Sequence, residues 1–252
     1  MDFKNKYVLV TGGSSGIGKA CVDSFAERGA EHIYVLDVQE PTKYENADWG
    51  LDSDDAIQYI SCDLSNEQQI LEAVSKIDKL DVLVNCAGIH PPERKIEDYG
   101  SDEFKKTFDI NLVPMFTLCK HLREHLAKSG GAVVNLSSMV GIHGQPAAID
   151  YCASKAAING FTKGLAIDWA DSNIRVNAIA PSNVSTPSMM KWASSFDDPD
   201  QALKNAEAPQ KPARLIAAYE IANVCLFLAS DMSSCLTGQI ICANGGSSLG
   251  YN

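Results

Sequence analysis

The segment Thr11-Gly12-Gly13-Ser14-Ser15-Gly16-Ile17-Gly18 constrains the fold of this chain more than any other. It follows the short apolar run Tyr7-Val8-Leu9-Val10 and opens a stretch over 16–28 with Ala20, Phe25 and Ala26 among its small and apolar positions, stopped by Gly29. An apolar run without alternation reads as a strand buried on both faces, and the stretch after it as a helix. Glycine at 12 permits a tight turn, at 16 it bares the backbone, and at 18 it lets the helix pack closely on the sheet.

The same alternation recurs along the chain. Further strands are expected at 32–36, 57–60, 81–84, 132–136, 175–179 and 239–242, with helices at about 101–128, 150–170 and 218–230. Strands alternating with helices imply a parallel sheet with right-handed crossovers. The expected fold is α/β, a doubly wound Rossmann fold with a seven-stranded parallel sheet and helices on both faces. All 252 residues fit one unit, 1–252, large enough to bury a sizeable core. Residues 38–56 are polar and carry Pro41, so the helix usual at that point is expected to be short or absent. Residues 185–213 hold Pro187, Pro199, Pro209 and Pro212 around Met189-Met190-Lys191-Trp192, and read as a long loop of the kind that forms a lid.

Composition excludes several function classes. A formal charge of −11 argues against binding nucleic acid or an anionic membrane surface. No apolar stretch approaches the roughly 18 residues of a membrane span. Met1 to Lys6 runs straight into the first strand, so a cytoplasmic location is expected. The eight cysteines contain no C-x-x-C pair, and Cys62, Cys86 and Cys242 are expected as small core residues.

A helix that opens at a glycine turn presents free N–H groups and a positive dipole end, which suits a pyrophosphate. Asp37 closes the second strand, where a carboxylate accepts hydrogen bonds from a ribose diol and repels a 2′-phosphate. Together these residues point to NAD. Further along, Tyr151 and Lys155 are spaced to share one helix face, with Ser138 thirteen positions before the tyrosine. A tyrosine ordinarily titrates near 10, too high for an efficient base at neutral pH. A nearby ammonium is expected to favour its phenolate.

The glycine segment, Asn85-Cys86-Ala87-Gly88, Ser138 and Tyr151-Cys152-Ala153-Ser154-Lys155, in this order and spacing, resemble the classical short-chain dehydrogenase/reductase family over nearly the whole chain. The resemblance implies a catalytic set of Asn111, Ser138, Tyr151 and Lys155, with Asn111 helping to hold a proton-relay water. It implies cofactor contacts at Gly12, Ser15, Gly16, Ile17 and Gly18, and at Asp37, Asp63 and Leu64. Asn85, Ala87 and Gly88, Tyr151 and Lys155, and Val184 and Thr186 complete that set. Cys86 stands where the family more often has asparagine, and Ser182 where it usually has glycine. No Lys or Arg occupies Ser14, Ser15 or Val38, where phosphate-binding relatives usually carry one.

His90-Pro91-Pro92, Gly144-Gln145, the run from Pro181 to Pro187 and the ending Gly245 to Tyr251 are similar to one branch, the type-14 17β-hydroxysteroid or L-fucose dehydrogenases. That likeness implies a substrate pocket of His90, Ser138, Gln145, Tyr151, Asn183 and Tyr251, and a hydroxysteroid or a sugar such as L-fucose as substrate. It also implies a homotetramer in which helices 101–128 and 150–170 pair across a two-fold axis, and a tail that closes a pocket. The alternatives are a 3-oxoacyl-carrier-protein reductase, against which Asp37 and the acidic surface count, and a catalytically silent dinucleotide-binding regulator. His121-Leu122-Arg123-Glu124-His125 has an inverted zinc-protease spacing. On a helix outside the sheet it is expected to be a solvated or interface face, and no metal site is expected. Two N-x-S sequences, at Asn135 and Asn183, are expected to be accidental.

Overall fold

The computed structural model describes residues 1–39 and 56–249. Among these residues, seven parallel strands form the main sheet: β1 (Tyr7–Thr11), β2 (His32–Asp37), β3 (Ile57–Ser61), β4 (Val82–Asn85), β5 (Ala132–Leu136), β6 (Arg175–Ile179) and, last in the chain, β9 (Ile240–Ile241). Their order is β3-β2-β1-β4-β5-β6-β9. The sheet reverses its winding between β1 and β4, and the crevice beyond the carboxyl ends of those strands is where such a fold receives a ligand. Register brings Thr11 beside Asn85, and Asn85 beside Asn135, so the ends of β1, β4 and β5 meet at one level.

Alternation along the strands loads both faces. Val8 and Val10 face the core made with α1 (Gly16–Glu27) and α9 (Ala218–Ala229), which contribute Val22, Phe25, Cys225 and Leu226. Leu9 faces the opposite core, with Leu118, Leu122 and Leu126 of α4 (Val113–Ser129) and Ala166 of α6 (Ile149–Asp168). Strands covered on both sides explain the unbroken apolar runs in the sequence. Among the described residues, no helix is long and apolar enough to cross a membrane.

Several local expectations need correction. The segment 185–213 is not a loop. It holds α7 (Pro187–Ala193) and α8 (Pro199–Glu207), and β7 (Val184–Ser185) at its start pairs with β8 (Ile216–Ala217). Pro187 and Pro199 are the first residues of their helices, where a missing N–H costs nothing, and Thr186 and Asp198 cap them through their side chains. The helix expected over 101–128 is two, α3 (Ser101–Asn111) and α4, separated at Leu112 with Pro114 in the first turn of α4. Two short helices lie outside the expected set: α2 (Glu67–Val74), capped by Asn66, and α5 (Val140–His143). Cys62 is buried and Cys86 partly buried, but Cys242 is exposed just past the two-residue β9. The stretch after β2, expected to lack a full helix, lies mostly outside the described residues.

Candidate active site

The glycine segment is shaped by contacts that exclude side chains. Gly12 has φ +67°, and a Cβ there would stand 2.9 Å from the Cα of Ala87. A Cβ on Gly18 would run into the carbonyl oxygen of Gly12, so the first turn of α1 can lie on the loop only with glycine there. Gly16, at φ +55°, sits beneath the Thr186 methyl, 3.4 Å from where its Cβ would be. Ser15 precedes α1 in extended conformation without a side-chain cap, and the first turn carries no acid. An uncapped helix start free of negative charge, bordered by glycine, fits a pyrophosphate. Ile17 turns inward and packs on the α1 side of the core.

Asp37 ends β2 beside this loop. Its carboxylate accepts from the Ser14 N–H at 3.0 Å and from the Gln39 N–H at 3.1 Å. Ser14 also donates through its hydroxyl to the Gln39 carbonyl at 2.7 Å. The carboxylate is therefore fixed in orientation while keeping lone pairs for a diol. Asp63 accepts from the Ser65 N–H and hydroxyl at 2.9 and 2.7 Å, bonds that hold its carboxyl below the usual range, and Leu64 packs on the core. The Thr11 hydroxyl oxygen accepts from the N–H groups of Cys86 and Ala87 at 3.0 and 3.1 Å, tying the two loops together. Asn85 is buried and donates to Asn135 at 2.8 Å, which in turn donates to Thr162 at 2.9 Å. Asn135 is thus inaccessible to glycosylation.

Tyr151 and Lys155 project from one face of α6, as their spacing requires. The Lys155 ammonium lies 5.6 Å from the Tyr151 ring centroid and donates to the Leu136 carbonyl at 2.8 Å. A Cβ on Gly88 would be 3.6 Å from Lys155 Nζ and 3.1 Å from Asn111 Oδ1, so Gly88 lets the loop after β4 lie directly over the lysine. Ser138, two residues past β5, lies close enough to the Tyr151 hydroxyl to favour its phenolate. The expected lowering of the tyrosine is reversed in the polypeptide by itself. Burial pushes Tyr151 up to about 12 against the opposing influence of Ser138, and burial draws Lys155 down to about 8.

Asn111 is fully engaged as a brace. Its Oδ1 accepts from the Ile89 N–H at 2.8 Å, and its Nδ2 donates to the Ile89 carbonyl at 3.0 Å and to the Ser154 hydroxyl at 3.1 Å. His90 follows on the same loop, with its ring centroid 4.3 Å from that of Tyr151. Its Nδ1 lies 2.9 Å from the Pro91 carbonyl, an acceptor only, so the neutral ring carries its proton there and keeps Nε2 as an acceptor. Gln145 donates through Nε2 to Glu93 at 2.8 Å. Asn183 commits an amide N–H to the Ala206 carbonyl of α8 at 2.7 Å. Val184 turns its side chain into the core, while Thr186 caps α7 by accepting from the Met189 N–H at 3.2 Å. Tyr251 lies outside the described residues.

Glu93, Thr11 and Ser154 escaped the sequence reading because each acts through a partner distant in the chain. Thr11 and Ser154 stand inside the glycine and tyrosine–lysine motifs, which marked their place but not their bonds. His121 is exposed on α4, and among the described residues no three His, Cys, Asp or Glu side chains are grouped to hold a metal ion.

Residues 12–248 match a family model described as enoyl-(acyl carrier protein) reductase. L-fucose dehydrogenase of Bos taurus is 35% identical over 253 residues, covering 99% of this chain and 92% of its own length. Aldohexose dehydrogenase of Thermoplasma acidophilum superposes with a TM-score of 0.90 at 28% identity, over 99% of this chain and 96% of that one. L-sorbose reductase of Gluconobacter frateurii, complexed with NADPH and L-sorbose, superposes with a TM-score of 0.91 at 25% identity, over 100% and 99% of the two chains. With sequence, fold and site in agreement, this chain belongs to the short-chain dehydrogenase/reductase family of oxidoreductases, whose fold binds a nicotinamide dinucleotide.

Proposed function

We propose that this protein is an NAD-dependent dehydrogenase that interconverts a secondary alcohol and its ketone, with a sugar such as L-fucose as substrate. The observation that carries the reading is the Tyr151 hydroxyl beside Ser138, one helical turn from the Lys155 ammonium. In the oxidative direction Ser138 orients the substrate hydroxyl and Tyr151 takes its proton. Lys155, anchored on Leu136, favours the phenolate that must form and offers its remaining N–H groups to a ribose. The oxidised nicotinamide, when bound, supplies the hydride acceptor and a second positive charge beside the tyrosine. Asn111 holds α3, α6 and the His90 loop in fixed relation during the transfer.

Asp37 supports NAD over NADP, since its oriented carboxylate suits a diol and repels a phosphate. His90, Glu93 and Gln145 on the segments beside Tyr151 support a polyol over a steroid, because each offers polar atoms to neighbouring hydroxyls. The sugar-directed names of the relatives favour the same class. The family model's description favours an acyl-carrier-protein substrate as the second reading. A net charge of −11 counts against it, as it disfavours docking of an acidic carrier. We further assign the protein a homotetrameric state.

The test follows absorbance of the reduced nicotinamide with NAD+ or NADP+ against L-fucose, other aldoses, simple secondary alcohols and a 17β-hydroxysteroid. Oxidation of a sugar with NAD+ is expected. Turnover confined to the steroid would overturn the substrate assignment, as would activity found only on an acyl thioester with reduced cofactor, and turnover of nothing in either direction would overturn the enzyme.

A further inference from the structure

Asp150 is a carboxylate with 1 % exposure at the start of α6, immediately before Tyr151. Burying a carboxylate is unfavourable unless donors replace its water. Here Oδ2 accepts from the Thr107 hydroxyl at 2.7 Å, and Oδ1 accepts from the Tyr99 hydroxyl at 2.9 Å and the Tyr151 N–H at 2.8 Å. Its place in the first helical turn adds the favourable end of the helix dipole.

Thr107 and Asn111 stand four residues apart on α3, and Asp150 and Ser154 four apart on α6. Thr107 bonds Asp150 and Asn111 bonds Ser154, so the two helices are joined by two polar rungs one turn apart. Tyr151 and Lys155 are each the residue after a rung, about 100° further around the helix. Apolar packing tolerates a small roll of one helix on another, but two hydrogen bonds at successive turns do not. Tyr99 extends the same carboxylate to the segment following His90 and Glu93, and the Arg94 N–H donates to the Ala147 carbonyl at 2.7 Å alongside it.

We propose that Asp150, held by Thr107 and Tyr99, is a positioning residue that sets the rotation of α6 and so aims Tyr151 at Ser138 and Lys155 at Leu136. The proposal rests on the reading of Tyr151 as the proton-transfer group. It is tested with Asp150→Asn, Thr107→Val and Thr107→Ser, assayed on the fastest substrate of the panel above, with Tyr151→Phe as reference. Asp150→Asn and Thr107→Val are expected to lower kcat by about 10–100-fold, the scale of a small misplacement of a reacting group. KM should stay within about threefold, the NADH dissociation constant, measured by fluorescence, should rise by less than kcat falls, and Thr107→Ser should restore kcat.

Crystals of Asp150→Asn give a readout independent of turnover: the Tyr151–Ser138 and Lys155–Leu136 contacts should lengthen or open. Unchanged contacts, kcat within about twofold of wild type, or a parallel fall of kcat, NADH binding and thermal stability that Thr107→Ser does not relieve would each overturn the proposal. Full turnover in Tyr151→Phe would instead overturn the catalytic reading, while the crystal comparison would still decide the positioning role.

Discussion

The ammonium of Lys155 is bound to the carbonyl oxygen of Leu136, the last residue of β5, at 2.8 Å. This bond joins α6 to the carboxyl end of β5, two residues before Ser138, and it keeps a cation in a place where burial draws its pKa from 10.5 to about 8. Between those values the unfolded chain holds the proton and the folded protein has released it, so folding becomes more favourable as pH rises through the window. Lys155→Met removes this dependence. Wild-type stability relative to Lys155→Met is expected to rise between pH 8 and 10, by a total on the order of 3 kcal/mol. Denaturant unfolding of both proteins at several pH values checks this, and a relative loss with rising pH would refute the placement of the charge.

Tyr151→Phe removes the hydroxyl that meets Ser138 and keeps the ring against His90. Turnover should fall by about 10²–10⁴-fold, the usual contribution of a positioned acid–base group, with NADH affinity nearly unchanged. Steady-state kinetics and a fluorescence titration measure the two effects, and near wild-type turnover would remove Tyr151 from the mechanism.

Asp37→Ala deletes the carboxylate that the Ser14 and Gln39 N–H groups orient. NAD(H) should bind more weakly and NADP(H) more tightly than in the wild type, narrowing or inverting the preference. Competition titrations decide it; a wild type that already prefers NADP(H) would contradict the role of Asp37.

Gly18→Ala drives a methyl group into the Gly12 carbonyl, with the Gly12 carbonyl carbon at 2.7 Å and the Gly13 Cα at 3.2 Å. Backbone atoms cannot swing aside as a flexible side chain would. The variant should lose about 1–3 kcal/mol of stability together with most of its dinucleotide affinity. Thermal unfolding with and without NADH tests both, and an unaffected variant would show that the loop can open without cost.

The α4 and α6 surfaces leave apolar side chains in solvent, Phe116 at 54 % and Ile167 at 77 % exposure among them. Such faces suit the pairing expected from the family resemblance, and two isologous interfaces generate a closed tetramer. Light scattering should return the mass of four chains, and Phe116→Glu should reduce it. A monomeric wild type would reject the assembly.

The sequence by itself determined what local chemistry dictates. Glycines at 12, 16 and 18 after a four-residue apolar run fixed the first turn, because positive φ at 12 and 16 disfavours a side chain and the backbone contacts at 12 and 18 exclude one. Apolar runs at the right intervals located the parallel strands, since each is covered on both faces, and the four-residue spacing of Tyr151 and Lys155 put them on one helix face. The tertiary structure alone decided what depends on distant partners. Thr107 meets Asp150 across 43 residues and Glu93 meets Gln145 across 52, and nothing local marks either pair. Pro187 and Pro199 read as loop residues until the capping side chains of Thr186 and Asp198 appear beside them. The tyrosine and lysine were legible as residues, but the direction of their pKa shifts was not. That direction follows from the depth at which the fold buries them, and burial is a property of the packed chain rather than of any segment.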